Sequence, residues 1–178
     1  MKKQVLLASA ILVSSFAIGQ KSELRDAEKA LDKGSAAEAK STLESLSSSI
    51  ESADDKYKAE YYFLTGKTYA DLAKKGGADS DYEKAVSSLN ELIEFEKGYK
   101  TKYTDEAKEI LEKLSGDVVN AAVEDNKNEN FAGAANKLHM AYEMTGNEDY
   151  LYFAASTIFF AASAKLFADI IFKLDFFK

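Results

Sequence analysis

No proline occurs anywhere in the 178 residues, so only the nine glycines can interrupt a helix through backbone chemistry alone. Ala, Leu, Glu and Lys dominate what remains, and these are the residues that lose least on entering a helix. An all-α fold follows. The stretch Tyr61 to Ile93 states it most clearly. Its second half carries Tyr82, Ala85, Val86, Leu89, Leu92 and Ile93 at spacings of three and four, which places all six on one stripe of a helix. Its first half carries Tyr62, Gly66, Tyr69, Leu72 and Ala73 at compatible spacing, with Gly66 small enough to admit a neighbouring helix and Gly76–Gly77 ending the run. Ser80 and Glu83 have capping-box spacing and set the expected start of the second helix near Ser80.

The flanking segments repeat this hairpin grammar. Leu24, Ala27 and Leu31 form one stripe, closed by Gly34. Ser35 and Glu38 offer a second capping box, followed by Ala39, Leu43, Leu46 and Ile50, and the serine-rich run at 45–49 stays in helical register. Asp54 or Asp55 caps the next helix, and Thr104 caps a long one with Ala107, Ile110, Leu111, Leu114, Val118, Ala121 and Ala122 inward. After the polar turn at 124–130, Asn130 caps a helix whose apolar positions are Phe131, Ala134, Ala135, Leu138, Ala141 and Tyr142, and Gly146–Asn147 closes it. The last segment, 150–178, is apolar around most of its circumference, with Lys165, Asp169 and Lys173 on one polar stripe.

Residues 2–19 have the build of a secretory signal: Lys2 and Lys3, an apolar run of about 14 residues, and Ala17 and Gly19 at the spacing signal peptidase accepts. The run is shorter than the roughly 20 residues that cross a bilayer, so cleavage after Gly19 is expected, leaving 20–178 as a single domain. No cysteine follows, which excludes a lipid-anchored lipoprotein, disulfides and thiolate metal sites. Cleavage takes Lys2 and Lys3 from the 23 basic residues and none of the 30 acidic ones, so the formal charge moves from −7 to −9. An acidic surface of this kind repels nucleic-acid phosphates and anionic headgroups. A periplasmic or secreted location is the expectation.

Chemistry-bearing constellations are sparse. His139 is the only histidine, and with no cysteine it leaves zinc and Cys–His catalysis without ligands. Asp79 and Asp81 have the spacing that opens a calcium loop, but no third ligand and no glycine at the sixth place. Helix capping accounts for them. The segment 124–130 also lacks that glycine and reads as a solvated turn. No phosphate-binding glycine loop, H-E-x-x-H or G-x-S-x-G occurs, so neither catalysis nor a cofactor or metal is expected.

Superposing the hairpins gives a recurrent pattern: Gly66, Tyr69, Tyr82, Ala85 and Leu89 in one; Ala27, Ala30, Gly34, Ala39 and Leu43 in another; Ala122, Phe131, Ala134, Leu138 and Ala141 in a third. On these residues the chain resembles secreted tetratricopeptide-repeat (TPR) proteins of Gram-negative bacteria. The resemblance implies a solenoid of about three and a half antiparallel helical hairpins, with 150–178 a degenerate apolar terminal hairpin. Gly66 and Ala85 stand 19 positions apart where the standard repeat has about 12, and the closing proline is absent. In such proteins the first helix of each hairpin lines a concave groove, which would here be lined by Leu24, Glu28, Phe63, Lys67, Val119, Val123 and Asn126. The function implied is a non-catalytic scaffold that holds a peptide or partner helix in that groove. Phe159, Phe160, Phe167, Phe172 and Phe176 would form a C-terminal association surface, for homo-oligomerisation or for attachment to a membrane or an envelope protein.

Overall fold

The computed structural model describes the backbone of residues 19–176, with side chains through 168. The expected signal sequence lies outside these residues except for Gly19, as do the side chains of Phe172 and Phe176. Among the described residues there are seven α-helices, one short 3₁₀ turn and no strand. We number them α1 (19–32), α2 (Ala36–Leu46), α3 (Asp55–Lys74), α4 (Asp79–Lys97), α5 (Thr104–Lys127), α6 (Phe131–Thr145) and α7 (Asp149–Phe176), with the 3₁₀ turn at Ile50–Ser52. The chain divides into two compact units, the first reaching Ile110 and the second beginning at Leu111, inside α5.

In the first unit, α1 ends where Gly34 takes a left-handed φ of +75°, which lets the Ser35 amide reach back to the Ala30 carbonyl at 2.8 Å. Ser35 then occupies the N-cap of α2, but its hydroxyl makes no capping bond. The expected helical register across 45–49 is not kept: α2 stops at Leu46. The hydroxyls of Ser45, Ser47 and Ser49 each donate to the carbonyl three residues earlier, at 2.7, 2.7 and 3.1 Å. Such local bonds compete with the helical ladder and favour a turn. Ile50 is nonetheless buried, because the 3₁₀ turn packs against α3.

Helix α3 packs on both α2 and α4 and is therefore buried on most of its circumference, from Ala59 to Ala73. Gly66 meets Leu89 of α4 so closely that a Cβ there would stand 2.5 Å from Leu89 Cδ2. Only 75–78 separates the two helices, which are 20 and 19 residues long, so most of the stretch between Gly66 and Ala85 is helix rather than loop. Helix α4 starts at Asp79 with Ala78 as N-cap, not at Ser80. The carboxylate that closes this start is Asp81, whose Oδ2 accepts the Ala78 amide at 3.0 Å, because Asp81 and not Glu83 stands three residues after the cap.

In the second unit, Ala122, Ala134, Ala135 and Ala141 are buried with Val118, Leu114 and Leu111. Asn130 caps α6, its Oδ1 accepting from the Gly133 amide at 3.2 Å, while its side-chain amide donates to Asp125 at 3.0 Å. Asp125 also receives Lys137 Nζ at 2.7 Å, so the oxygen-rich turn consumes its own carboxylate. Gly146, at φ +69°, ends α6 and returns the chain so that α7 packs along it.

Candidate binding surface

Helix α7 packs on α6, and over its near half Tyr150, Leu151, Ala154, Ser156, Thr157 and Ala161 are half-buried. Val119, Val123, Phe131, Leu138, Phe153 and Phe160 surround an open groove of about 560 Å³ on the second unit. Its polar members include Asn126 and Lys127 from the end of α5, and Ser156 and Thr157 from α7. The two hydroxyls donate to the carbonyls of Tyr152 and Phe153 at 2.8 and 2.9 Å, so they are satisfied within their own helix. What the groove presents is an apolar, aromatic-edged surface suited to a side chain or a helix face.

Beyond the groove the described side chains of α7 are largely uncovered. Phe159, Phe160 and Phe167 are 70, 70 and 67% exposed, and every described side chain from Ala162 to Ala168 is exposed. Asp149–Ala168 is a 20-residue helical segment of mean hydropathy 1.5, none of it buried.

The seven residues expected to line one continuous groove are not equivalent. Val119, Val123 and Asn126 do line the groove just described. Leu24 and Phe63 do not face an accessible surface: they are 0 and 5% exposed. Leu24 belongs to the same stripe as Ala27 and Leu31, and the Phe63 ring stacks on Tyr103 with centroids 4.5 Å apart. Helix α3 packs on both α2 and α4, and with Tyr103 stacked on Phe63 it keeps no free groove face there. Glu28 is exposed, and Lys67 pairs with Glu106 at 3.1 Å. His139 faces solvent, its Nδ1 3.9 Å from Glu143, and among the described residues no group of three or more His, Asp or Glu could hold a metal ion.

One residue escapes a reading by motif. Glu96, 1% exposed, accepts the amides of Lys102, Tyr103 and Thr104 and the Thr104 hydroxyl, at 2.6 to 3.1 Å. It thereby takes over the capping role expected of Thr104, placing a carboxylate at the positive end of α5. Burial by itself pushes this carboxyl up, but the hydrogen bonds from Thr104, Tyr103 and Lys102 outweigh it and hold the group below its ordinary value. The sequence carried a signal: Ala85, Leu89, Leu92 and Glu96 continue one buried stripe, so the charge stands where an apolar residue belongs. Comparison with known proteins finds no match to a family model, to a curated protein or to a solved structure.

Proposed function

We propose that this chain is a non-catalytic binding module, a TPR-like solenoid of stacked helical hairpins that holds the apolar face of a peptide or partner helix. The observation that carries the reading is the groove of about 560 Å³ edged by Val119, Val123, Phe131, Phe153 and Phe160. A helix offering apolar residues at three- and four-residue spacing fits such a surface, with Asn126 and Lys127 left to read polar groups on its flank. The expected setting is the periplasm or the exterior, reached through the leader at 1–19. A photo-crosslinking residue at Val123 tests this in intact cells, with exposed Glu112 as the control position. A discrete protein adduct at Val123, lost when Val119 is changed to Arg, is the expected result. Labelling no stronger than at Glu112 overturns it.

A second reading has its own observation. The unburied apolar segment Asp149–Ala168, 20 residues at about 1.5 Å each, matches a hydrocarbon core of roughly 30 Å. Under this reading α7 attaches the protein to a membrane. Alkaline carbonate extraction separates the two: a groove-binding module is released, and a membrane-attached one stays in the pellet.

A further inference from the structure

Helix α7 carries a seam that neither the groove nor α6 uses. Tyr152, Ala155, Phe159 and Ala162 are all exposed, and their spacing of three, four and three is that of a coiled-coil stripe. The groove takes the adjacent face, through Phe153, Ser156 and Phe160. The seam alternates large and small in a particular way. About a point midway between Ala155 and Phe159, Tyr152 is the mirror position of Ala162, and Ala155 the mirror position of Phe159. A helix with this pattern is complementary to its own reverse, because each aromatic of one copy meets an alanine of the other. Such self-complementarity is what a two-fold, isologous contact requires.

We propose that the face of α7 bearing Tyr152, Ala155, Phe159 and Ala162 joins two copies of the chain, packed antiparallel about an axis midway between Ala155 and Phe159. Seven large apolar side chains between Tyr152 and Phe167 are 47 to 70% exposed. With about 150–250 Å² per aromatic ring, they present on the order of 800 Å² around the helix, more than the roughly 300–600 Å² of a typical monomer's largest patch. Phe153 and Phe160 belong to the groove, so the large side chains of the seam itself are Tyr152 and Phe159, on the order of 300 Å², and the pair it makes is a weak, reversible one. The alanines let the helix axes approach closely, as small residues do wherever helices pack. Lys165 lies beside the seam, where its stem covers apolar surface and its amine reaches water.

A bilayer fits this face less well than a second copy does. From Tyr150 to Ala161, α7 runs along α6, whose outward positions Asn136, His139 and Glu143 are exposed. Lipid covering all of Asp149–Ala168 would also have to strip water from those polar groups, at several kcal/mol for a charged one even when it is paired. An antiparallel copy covers the seam and leaves them in water.

The test uses the full chain in detergent-free buffer, with mass measured by light scattering across a hundredfold range of concentration and helicity followed by circular dichroism. A dimer is expected. Ala155→Phe makes the seam more apolar but puts aromatic against aromatic, so it should weaken the dimer by about tenfold or more in Kd at unchanged helicity. Adding Phe159→Ala exchanges large for small at both mirror positions and should restore dimerisation to within a few-fold of the parent. A chain that stays monomeric over the whole range overturns the proposal. So does an Ala155→Phe variant that associates as well as the parent, or association that appears only when phosphatidylglycerol–phosphatidylethanolamine vesicles are added. The groove reading is tested separately at Val123, so either can fail alone.

Discussion

Glu96 is the residue on which the first unit's second half turns. A carboxylate this deeply buried is tolerated only because the amides of α5's first turn and the Thr104 hydroxyl point at it. Replacing it by Gln keeps the volume, removes the charge and turns one acceptor oxygen into a donor facing donors. Glu96→Gln should therefore cost about 2–4 kcal/mol at neutral pH, measured by urea denaturation. The pH dependence has a definite sign. The native carboxyl sits below its ordinary value, so the unfolded chain binds the proton more tightly. Its stabilisation is fully present above the unfolded carboxyl's pKa, about 4.3, and is lost as the pH falls through the lower native value. The acid limb of the stability profile should flatten in Glu96→Gln, and an unchanged limb would count against this account. Thr68 gives the opposite case: it is fully buried in α3 and its hydroxyl has no hydrogen-bond partner. Thr68→Val exchanges that hydroxyl for a methyl of similar size and should stabilise the fold by about 1 kcal/mol.

At the scale of elements, the two glycines inside long helices carry opposite instructions. Gly66 in α3 stands 3.3 Å, at the Cβ position, from the Leu89 backbone nitrogen and closer still to its side chain, whereas nothing lies within 4 Å of the same position at Gly116 in α5. Alanine improves helix propensity at either site by about 1 kcal/mol. At Gly116 nothing opposes the gain, so Gly116→Ala should raise stability by about that amount. At Gly66 the methyl forces α3 and α4 apart, a strain of about 1–3 kcal/mol, so Gly66→Ala should be net destabilising. Thermal unfolding of the two variants should show shifts of opposite sign. This close approach was legible in the sequence, as were the stripes of Leu89, Leu114 and Val118, because a three-and-four period survives whatever the helix packs against. What the period does not encode is how many neighbours a helix has. Phe63 sits off the main stripe of α3 and reads as a groove residue, but it is buried because Tyr103 returns from the 99–103 loop to stack on it. Val119, Val123 and Asn126 read the same way, and they lie along the local groove of the second unit instead, lined by residues of α5, α6 and α7. Helix ends were legible where glycine marks them, at Gly34 and Gly146. They were misplaced where a choice among nearby carboxylates and hydroxyls decides, as at Asp81 and at the serines after Leu46.

The whole molecule combines a well-buried hairpin, α3–α4, with a terminal helix whose side chains from Ala162 to Ala168 are all exposed. A helix of about a dozen residues without tertiary packing is marginal in water, since nucleation outweighs the bonds gained. Residues 162–168 should then hold their helical hydrogen bonds only when something covers them. Under antiparallel pairing the cover is the second copy, which makes amide protection in this segment a function of protein concentration. Hydrogen exchange measured at two concentrations on either side of the dimer's Kd should show protection at 162–168 rising with concentration, and falling again in Ala155→Phe. Amides of α3 and α4 supply the internal reference, because Leu64, Gly66, Val86 and Leu89 are buried within the first unit and need no partner. Were 162–168 equally protected at both concentrations, the helix would be held by its own sequence, and the exposed aromatics would be free for the groove's occupant or for lipid. Were protection to follow concentration in the parent and not in the variant, exchange and light scattering would locate the contact on the same four residues by independent means.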